Sequence, residues 1–483
     1  MILKTQILFL SILLFSLVNC AKDSGQHQLT GGGLPLPASS STVGQPLAIN
    51  TEGTLVRKAL PFDDESEENK IANAIIGRNA GADTGVFKQW SNGNYGLYSS
   101  KVRNTYAEFS RQKLTDAYAN TETVYYPFGG PDVIHPFVFF PRAKTLVLVG
   151  IEPIGKLPAL STAMTPAYQN EMASMMEKNL GASFYVSQEM REEALNSENA
   201  TWSKIAAGVA LLNFEIISSE LGSLNEEGQW VNRREAARLS NSPEGVIFRC
   251  RRYLDPTQQE LTIYYFQQNL AEYDWDDKNL IALSKSSPFL NFVNNFRGNY
   301  TSYLKAASFV SHDRSEFKTS TKLIFSGNYI VETESGVPFD EFIDQRNKWS
   351  LNLFGQYDGP SQKTFPKRKK SPLLERAYSD ARNNKKGEYS DFVKSWNELP
   401  FRYDYNDGDG SSLGSSLFYA TRNGAPLAKA AIPAQVDYLL TDGSVQQNSR
   451  PSVQVPTQTK AIDKPKPGGI RRLWNWIPGL GKK

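Results

Sequence analysis

The sequence predicts an α+β protein: one large mixed α/β body with a central sheet, flanked by disordered N- and C-terminal arms. Three observations predict this class. The six apolar residues Leu146–Ile151 stand between charged residues, which is typical of a strand buried on both faces. Segments with helical periodicity alternate with short β-type runs along the chain. Both ends are rich in Gly, Ser, Thr, Pro and Gln, and such segments bury too little apolar surface to fold.

The overall composition favours a folded body and excludes one class of partner. Of 483 residues, 40% are hydrophobic, which suffices for a sizeable core. The 53 basic and 50 acidic residues nearly balance, so the composition predicts no nucleic-acid partner. Only Cys20 and Cys250 are cysteines, and no disulfide within the chain can form if Cys20 is modified.

The N-terminus has the pattern of an export signal. Lys4 precedes the apolar run Ile7–Val18, which is too short to span a membrane. The run ends in LVNC, and this motif resembles the lipobox of bacterial lipoproteins. Asn19 replaces the usual small residue, as in the relaxed lipobox of spirochaetes. The alternative is an ordinary secretory signal in which Cys20 has no special role.

The resemblance to lipoproteins implies where the protein resides. Cys20 would be diacylated and become the first mature residue, and its acyl chains would anchor the protein to a membrane. The resemblance implies a place in the cell envelope, and Ala21 at the second mature position favours the outer membrane. It implies location only and carries no information on activity.

These signals divide the chain into four parts. Residues 1–19 are the expected signal peptide, and residues 20–69 are the acylated cysteine and a flexible tether. Residues 70–422 are the expected globular body, and residues 423–483 form a second disordered arm. A split of the body into two subdomains near residues 221–241 stays open.

The first half of the body predicts two helices and a hairpin. Thr165-Pro166 begins one helix, with threonine as N-cap and proline at the first helical position. A second helix is expected from Thr201 to Ser218. Residues 245–254 and 260–266 predict a β-hairpin in which Cys250 is a buried core thiol.

The second half predicts further short elements. Helices are expected over 288–296, 299–310 and 315–325. Strands are expected over 329–332, 349–354 and 417–421, and the second of these alternates apolar with polar residues.

The candidates for chemistry are few. Asp132 and His135 lie beside the apolar run, and His312 is the other histidine of the body. Together, and with Asp313, they are weak candidates for a hydrolase site. The position of His135 between Ile134 and Pro136 favours a buried, hydrogen-bonded residue.

Other catalytic motifs fail on their context. GSSLG at residues 410–414 matches a serine nucleophile elbow, but no histidine follows it in the chain. SYLK at residues 302–305 matches a β-lactamase fragment without its partner motifs. No clustered histidine and cysteine ligands or glycine-rich phosphate loop occur, so no metal and no cofactor is predicted.

The last segment, Lys464–Lys483, carries six basic residues and no acidic one. Tryptophans beside cations suit a lipid headgroup interface. A docking peptide for a partner protein and a tail that folds back onto the body are equal alternatives. The residues expected at a membrane or partner contact are Arg471, Arg472, Trp474 and Trp476.

Two functional classes remain. The first is a non-enzymatic envelope lipoprotein that binds another protein, a glycan or a small molecule. The second is a lipid-anchored envelope hydrolase that uses Asp132 and His135. The shortage of histidines and the failed motifs favour the first class, and the sequence leaves open whether any catalysis occurs.

Overall fold

The structure, a computed structural model, describes part of the chain. The described residues are 66–79, 82–83, 104–182, 201–212, 214–236, 242–252, 260–273, 280, 282–284, 287–305, 316–333, 338–357, 371–401 and 416–429. Most of both expected arms lies outside them, and so do Cys20 and residues 464–483. Within the described ranges, no helix has the length and the apolar character that crossing a bilayer would require.

The described part of the chain contains twelve α-helices. In chain order they are α1 Glu67–Ile75, α2 Asn104–Lys113, α3 Thr115–Asn120, α4 Ile134–Phe139, α5 Leu160–Ala163, α6 Pro166–Ala182, α7 Thr201–Leu211, α8 Arg233–Ala236, α9 Pro288–Asn294, α10 Lys318–Ile324, α11 Phe339–Asp344 and α12 Pro372–Arg382.

The strands form one large sheet and one small ribbon. They are β1 Arg78–Asn79, β2 Ala82–Asp83, β3 Thr123–Tyr126, β4 Thr145–Gly150, β5 Phe214–Leu224, β6 Trp230–Asn232, β7 Glu244–Arg252, β8 Glu260–Gln267, β9 Tyr300–Leu304, β10 Tyr329–Thr333, β11 Trp349–Gly355, β12 Val393–Asn397 and β13 Ser416–Arg422. The 11-stranded sheet has the order β12-β11-β13-β10-β9-β3-β4-β8-β7-β5-β6, and β1 pairs with β2.

The centre of the large sheet is parallel. Strands β10, β9, β3, β4 and β8 run side by side in one direction. The chain moves from β3 to β4 on one side and from β9 to β10 on the other. The strand order therefore reverses between β3 and β9, which is the position where open α/β sheets commonly hold ligands.

The two faces of the sheet are covered by different halves of the chain. Buried residues of α1, α2, α4, α6 and α7 pack on one face, called here the first face, together with Leu146 and Leu148. Buried residues of α9 to α12 pack on the second face, together with Val147 and Val149. The described body is therefore a helix–sheet–helix arrangement around a single mixed sheet, as the α+β class predicts.

The apolar run is a near-central strand, as predicted. Residues 146–149 of β4 are at most 1% exposed, and successive side chains enter the cores on opposite faces. Ile151 lies just beyond the strand. The hairpin is also confirmed: β7 pairs antiparallel with β8, and Cys250 is buried on the first face. Burial raises the pKa of the Cys250 thiol well above its ordinary value.

Two of the predicted helices are wrong in part or in full. The helix expected from Thr201 to Ser218 ends at Leu211, and Ile216 lies in β5. Residues 299–310 are predicted as helix, but 300–304 form β9. Both segments combine β-branched and aromatic residues with a helix-like spacing, and pairing to neighbouring strands decides between the two.

The body extends slightly beyond the expected boundaries. Helix α1 begins at Glu67, and the Ser66 hydroxyl caps it by accepting a hydrogen bond from the Asn69 N–H. Residues 423–429 are described after β13, and Ala425 is buried there. Residues 221–241, where the sequence leaves a subdomain boundary open, include the end of β5 and all of β6, two strands of the same sheet.

Candidate functional site

The candidate site lies at the carboxyl ends of the parallel strands, beside the reversal of strand order. After β3 the chain turns through Phe128 and Gly130, both with positive φ, and reaches Asp132 just before α4. One Asp132 carboxylate oxygen, Oδ1, accepts a hydrogen bond from the backbone N–H of His135 at 3.3 Å. The short loop between β3 and α4 thus places Asp132 and His135 side by side.

Asp132 is the centre of a group of four side chains, called here the carboxylate cluster: Asp132, His135, Lys305 and Tyr126. His135 Nδ1 lies 3.0 Å from Oδ1 and 2.9 Å from Oδ2 of Asp132. Lys305 Nζ lies 2.9 Å from Oδ2, and the Tyr126 hydroxyl donates to the same oxygen at 3.3 Å. The carboxylate therefore accepts from three side chains and one backbone N–H.

Burial makes these contacts energetically important. His135 exposes 0% of its surface and Asp132 only 2%. Burial by itself would raise the pKa of Asp132, but the charges of His135 (cationic at the acidic pH where Asp132 titrates) and Lys305 outweigh it. Together with the hydrogen bonds from both side chains they hold that pKa well below its usual range. Burial lowers the pKa of His135; the Asp132 carboxylate opposes this shift and the Lys305 charge adds to it, so the net direction is downward. The cluster therefore holds one anion and one cation near neutral pH, with a neutral imidazole.

The tautomer of His135 follows from its partner. An ionised carboxylate can only accept hydrogen bonds, so the Nδ1 atom of the neutral imidazole carries the proton and donates it to Asp132. This confirms the structural interpretation of His135 as a buried, hydrogen-bonded residue.

The sequence identifies neither Tyr126 nor the more distant member of the cluster, Lys305. It directly follows β9, which pairs in parallel with β3, so the ends of the two strands bring Lys305 to Asp132. Ser302 and Lys305 lie an odd number of residues apart on extended backbone and face opposite ways. The Ser302 hydroxyl donates to the Ile324 carbonyl on the second face. The SYLK match is therefore not a serine–lysine pair.

A second buried carboxylate lies at the end of the neighbouring strand. The Tyr265 hydroxyl is 2.8 Å from the backbone carbonyl oxygen of Glu152 and 3.2 Å from its Oε2. A Cβ at Gly150 would come within 2.1 Å of that carboxylate, so a side chain at this position would displace Glu152. The same edge carries other buried polar residues: Gln267, Gln268, Asn269, Glu332 and Thr333.

Several predicted site residues cannot be placed. His312 and Asp313 lie outside the described residues, and so do residues 410–414, Cys20, Arg471, Arg472, Trp474 and Trp476. The structure therefore brings Asp132 and His135 together and leaves His312 unplaced. In the described part of the chain, no group of three or more His, Cys, Asp or Glu residues is arranged to hold a metal ion.

Comparison with known proteins adds no assignment. No family model matches the chain, and no curated protein and no solved structure matches it.

The chemistry available to the cluster is limited by its own contacts. A general base must reach the proton that it removes, within about 2.6–3.2 Å or through one water. The Asp132 oxygens are engaged by His135, Lys305 and Tyr126, and the imidazole has no exposed surface. This arrangement stabilises a fold more readily than it transfers protons to a substrate.

Proposed function

We propose that the chain is a cell-envelope lipoprotein, anchored through acylated Cys20, whose body acts by binding and not by catalysis. One observation supports the non-catalytic part: the buried Asp132–Lys305 ion pair, with His135, fills the place beside the strand-order reversal. Open parallel sheets commonly bind ligands at this place. In this protein the side chains of Asp132, Lys305 and His135 occupy that place.

The alternative, a lipid-anchored hydrolase, has one observation in its favour. The carboxylate of Asp132 contacts Nδ1 of His135, and the same contact orients the histidine in Ser-His-Asp catalysis. Against it stands the complete burial of the imidazole. The two functions predict different effects of removing His135: a loss of stability if the protein only binds, and a loss of activity if it is a hydrolase.

His135→Ala tests the non-catalytic proposal. Loss of a buried hydrogen-bond donor to Asp132 should lower the free energy of unfolding by about 1–3 kcal/mol. Thermal and urea unfolding of the wild type and the variant would measure it. The proposal fails if the variant unfolds like the wild type while a hydrolytic activity of the wild type, assayed with p-nitrophenyl esters, disappears.

Metabolic labelling tests the anchor. Cells expressing the full chain are fed an alkyne fatty acid, and label is expected on the wild type and not on Cys20→Ala. Cys250→Ala is the matched control, because it removes the other cysteine, which is buried in the core, and should keep the label. Equal label on the wild type and Cys20→Ala would contradict acylation at this residue.

A further inference from the structure

We infer that the second face of the sheet at β5–β8 binds a saccharide, with Trp230 and Tyr264 as the aromatic contacts and Glu220 and Arg249 as the polar contacts. The inference deepens the proposed binding function by naming a ligand class and a surface. The four side chains share one face: Glu220 and Tyr264 both lie opposite Ile247, Arg249 is two residues from Ile247, and Trp230 lies opposite Leu224. They are called here the open patch.

Trp230 packs closely against the sheet because two glycines make room for it. A Cβ at Gly222 would come within 2.6 Å of the indole, and a Cβ at Gly245 within 2.9 Å. The Tyr264 ring lies beside it, with centroids 5.9 Å apart and planes at 62°. Both rings stay half-buried. Trp230 and Tyr264 therefore form an aromatic surface on the sheet that the adjoining helices leave partly uncovered.

Hydrogen-bonding groups of both kinds border these rings. The Trp230 Nε1–H donates to Glu220 Oε1 at 3.2 Å, and Arg249 Nη1 lies 3.7 Å from the same oxygen. The Glu220 and Arg249 side chains are 43% and 54% exposed, so solvent or a ligand reaches both. A carboxylate offers acceptors and a guanidinium offers donors in a fixed fork.

The backbone of β5 is irregular at the margin of the patch. The register with β7 shifts between Ile216 and Ser218, so Ile217 is an extra residue, and it is 42% exposed. Ser218, directly after the bulge, pairs with Arg249. Bulges of this kind re-aim side chains and occur frequently next to functional sites.

The balance of groups selects the ligand class. Charges of both signs nearly balance on this face: the Glu220–Arg249 and Glu215–Arg251 pairs are joined by one further acid, Glu260, opposite Arg251, and this small excess disfavours a strongly ionic partner. Two half-buried rings form too small an apolar area for a stable protein interface. A pyranose ring packs its C–H groups against the negative face of an aromatic ring, and its hydroxyls need both donors and acceptors. The open patch meets both needs.

The test is binding of the full-length, detergent-solubilised chain to a printed panel of pyranose oligosaccharides, followed by calorimetry with the strongest binder. Arg249→Met should weaken binding roughly tenfold or more, because a charge-assisted hydrogen bond is lost. Glu220→Gln should weaken it less, since the amide keeps one acceptor. Both positions are exposed enough for the variants to fold, which thermal unfolding would check.

Arg346→Met is the matched control. Its Nη1 lies 3.7 Å from Asp391 Oδ2 in an equally exposed pair, away from the open patch. It should leave binding unchanged. Absence of binding across the panel overturns the inference, as does equal weakening by Arg249→Met and Arg346→Met. A self-association that Arg249→Met abolishes, seen in sedimentation, would assign the face to a second copy and also overturn it.

This experiment fails separately from the proposed function. Chromatography of the oligosaccharide after incubation should show it intact. Cleavage would contradict the non-catalytic proposal and leave the binding surface standing. If no oligosaccharide binds while the fatty-acid label is still found on Cys20, the result would contradict the saccharide-binding surface and would still support the lipid anchor.

Discussion

The two ends of the same parallel strands carry two ion pairs of opposite character. At the amino ends, Lys144 and Glu122 approach to 2.6 Å with side chains 60% and 66% exposed. At the carboxyl ends, Lys305 and Asp132 lie 2.9 Å apart with side chains 4% and 1% exposed. The ion pair with the shorter distance, Lys144–Glu122, contributes less to the free energy of unfolding. Water screens an exposed pair to about 0–1 kcal/mol. A buried pair cannot lose one member without leaving an uncompensated charge, which costs about 3–5 kcal/mol.

The largest effect is expected where a charge enters the core with no partner at all. Val147 lies in the middle of β4, 1% exposed, on the second face. Val147→Asp buries a lone carboxylate, which costs several kcal/mol, a large part of the roughly 5–15 kcal/mol that stabilise a domain. We expect no folded protein to accumulate, as measured by soluble yield and circular dichroism. A variant that melts like the wild type would show that this strand is exposed.

The next largest effect is expected when a substitution removes one member of the buried ion pair. Lys305→Met keeps the length of the side chain and leaves Asp132 buried without its cation. We expect a loss of about 3–5 kcal/mol in the free energy of unfolding, measured by urea denaturation.

A double variant sharpens this result. Asp132→Asn combined with Lys305→Met removes both charges and keeps an acceptor for His135. It should recover much of the stability that Lys305→Met loses, because neutral replacement of a buried pair is often well tolerated. A double variant less stable than Lys305→Met would mean that the pair stabilises through shape and not through charge balance.

The pH dependence of stability reports on His135. Its folded-state pKa is lowered by burial, whereas the unfolded chain takes up the proton below about pH 6.5. The unfolded state therefore binds more protons as the pH falls from 7 to 5, and the folded state is destabilised by at most about 2 kcal/mol at pH 5. His135→Gln donates to Asp132 without titrating and should show a flatter profile. Parallel profiles would mean that His135 is protonated alike in both states.

The smallest effect is expected at the exposed pair. Lys144→Met removes the same chemical group as Lys305→Met, from a strand end of the same sheet. The change in free energy of unfolding should stay within about 1 kcal/mol and shrink further at high salt. A loss comparable with that of Lys305→Met would refute the claim that burial separates the two pairs.

Local sequence patterns predict much of the fold. The apolar run, the hairpin at β7–β8 and the helices at 166–182, 288–294 and 318–324 each follow from periodicity and caps. The errors fall at 214–218 and 300–304, where short mixed segments suit either state. Hydrogen bonding to neighbouring strands decides those segments, and no local window contains that information.

The candidate site divides in the same way. Asp132 and His135 are three residues apart, so the sequence shows that one short loop carries both, and the structure shows that their side chains are hydrogen-bonded. The open patch depends on the register of four strands, which fixes which side chains share a face. No single segment reveals that register.

The sequence by itself determined the buried strand at 146–149, the sheet-forming hairpin and the closeness of Asp132 and His135 along the chain, because each depends on neighbours in the chain. The tertiary structure alone decided that Lys305, 173 residues from Asp132, neutralises it. That choice depends on β9 lying beside β3, a parallel pairing between segments that are far apart in the chain. Lys305 and Asp132 therefore meet only in the folded sheet, because patterns along the chain report on near neighbours and these residues are far apart in sequence.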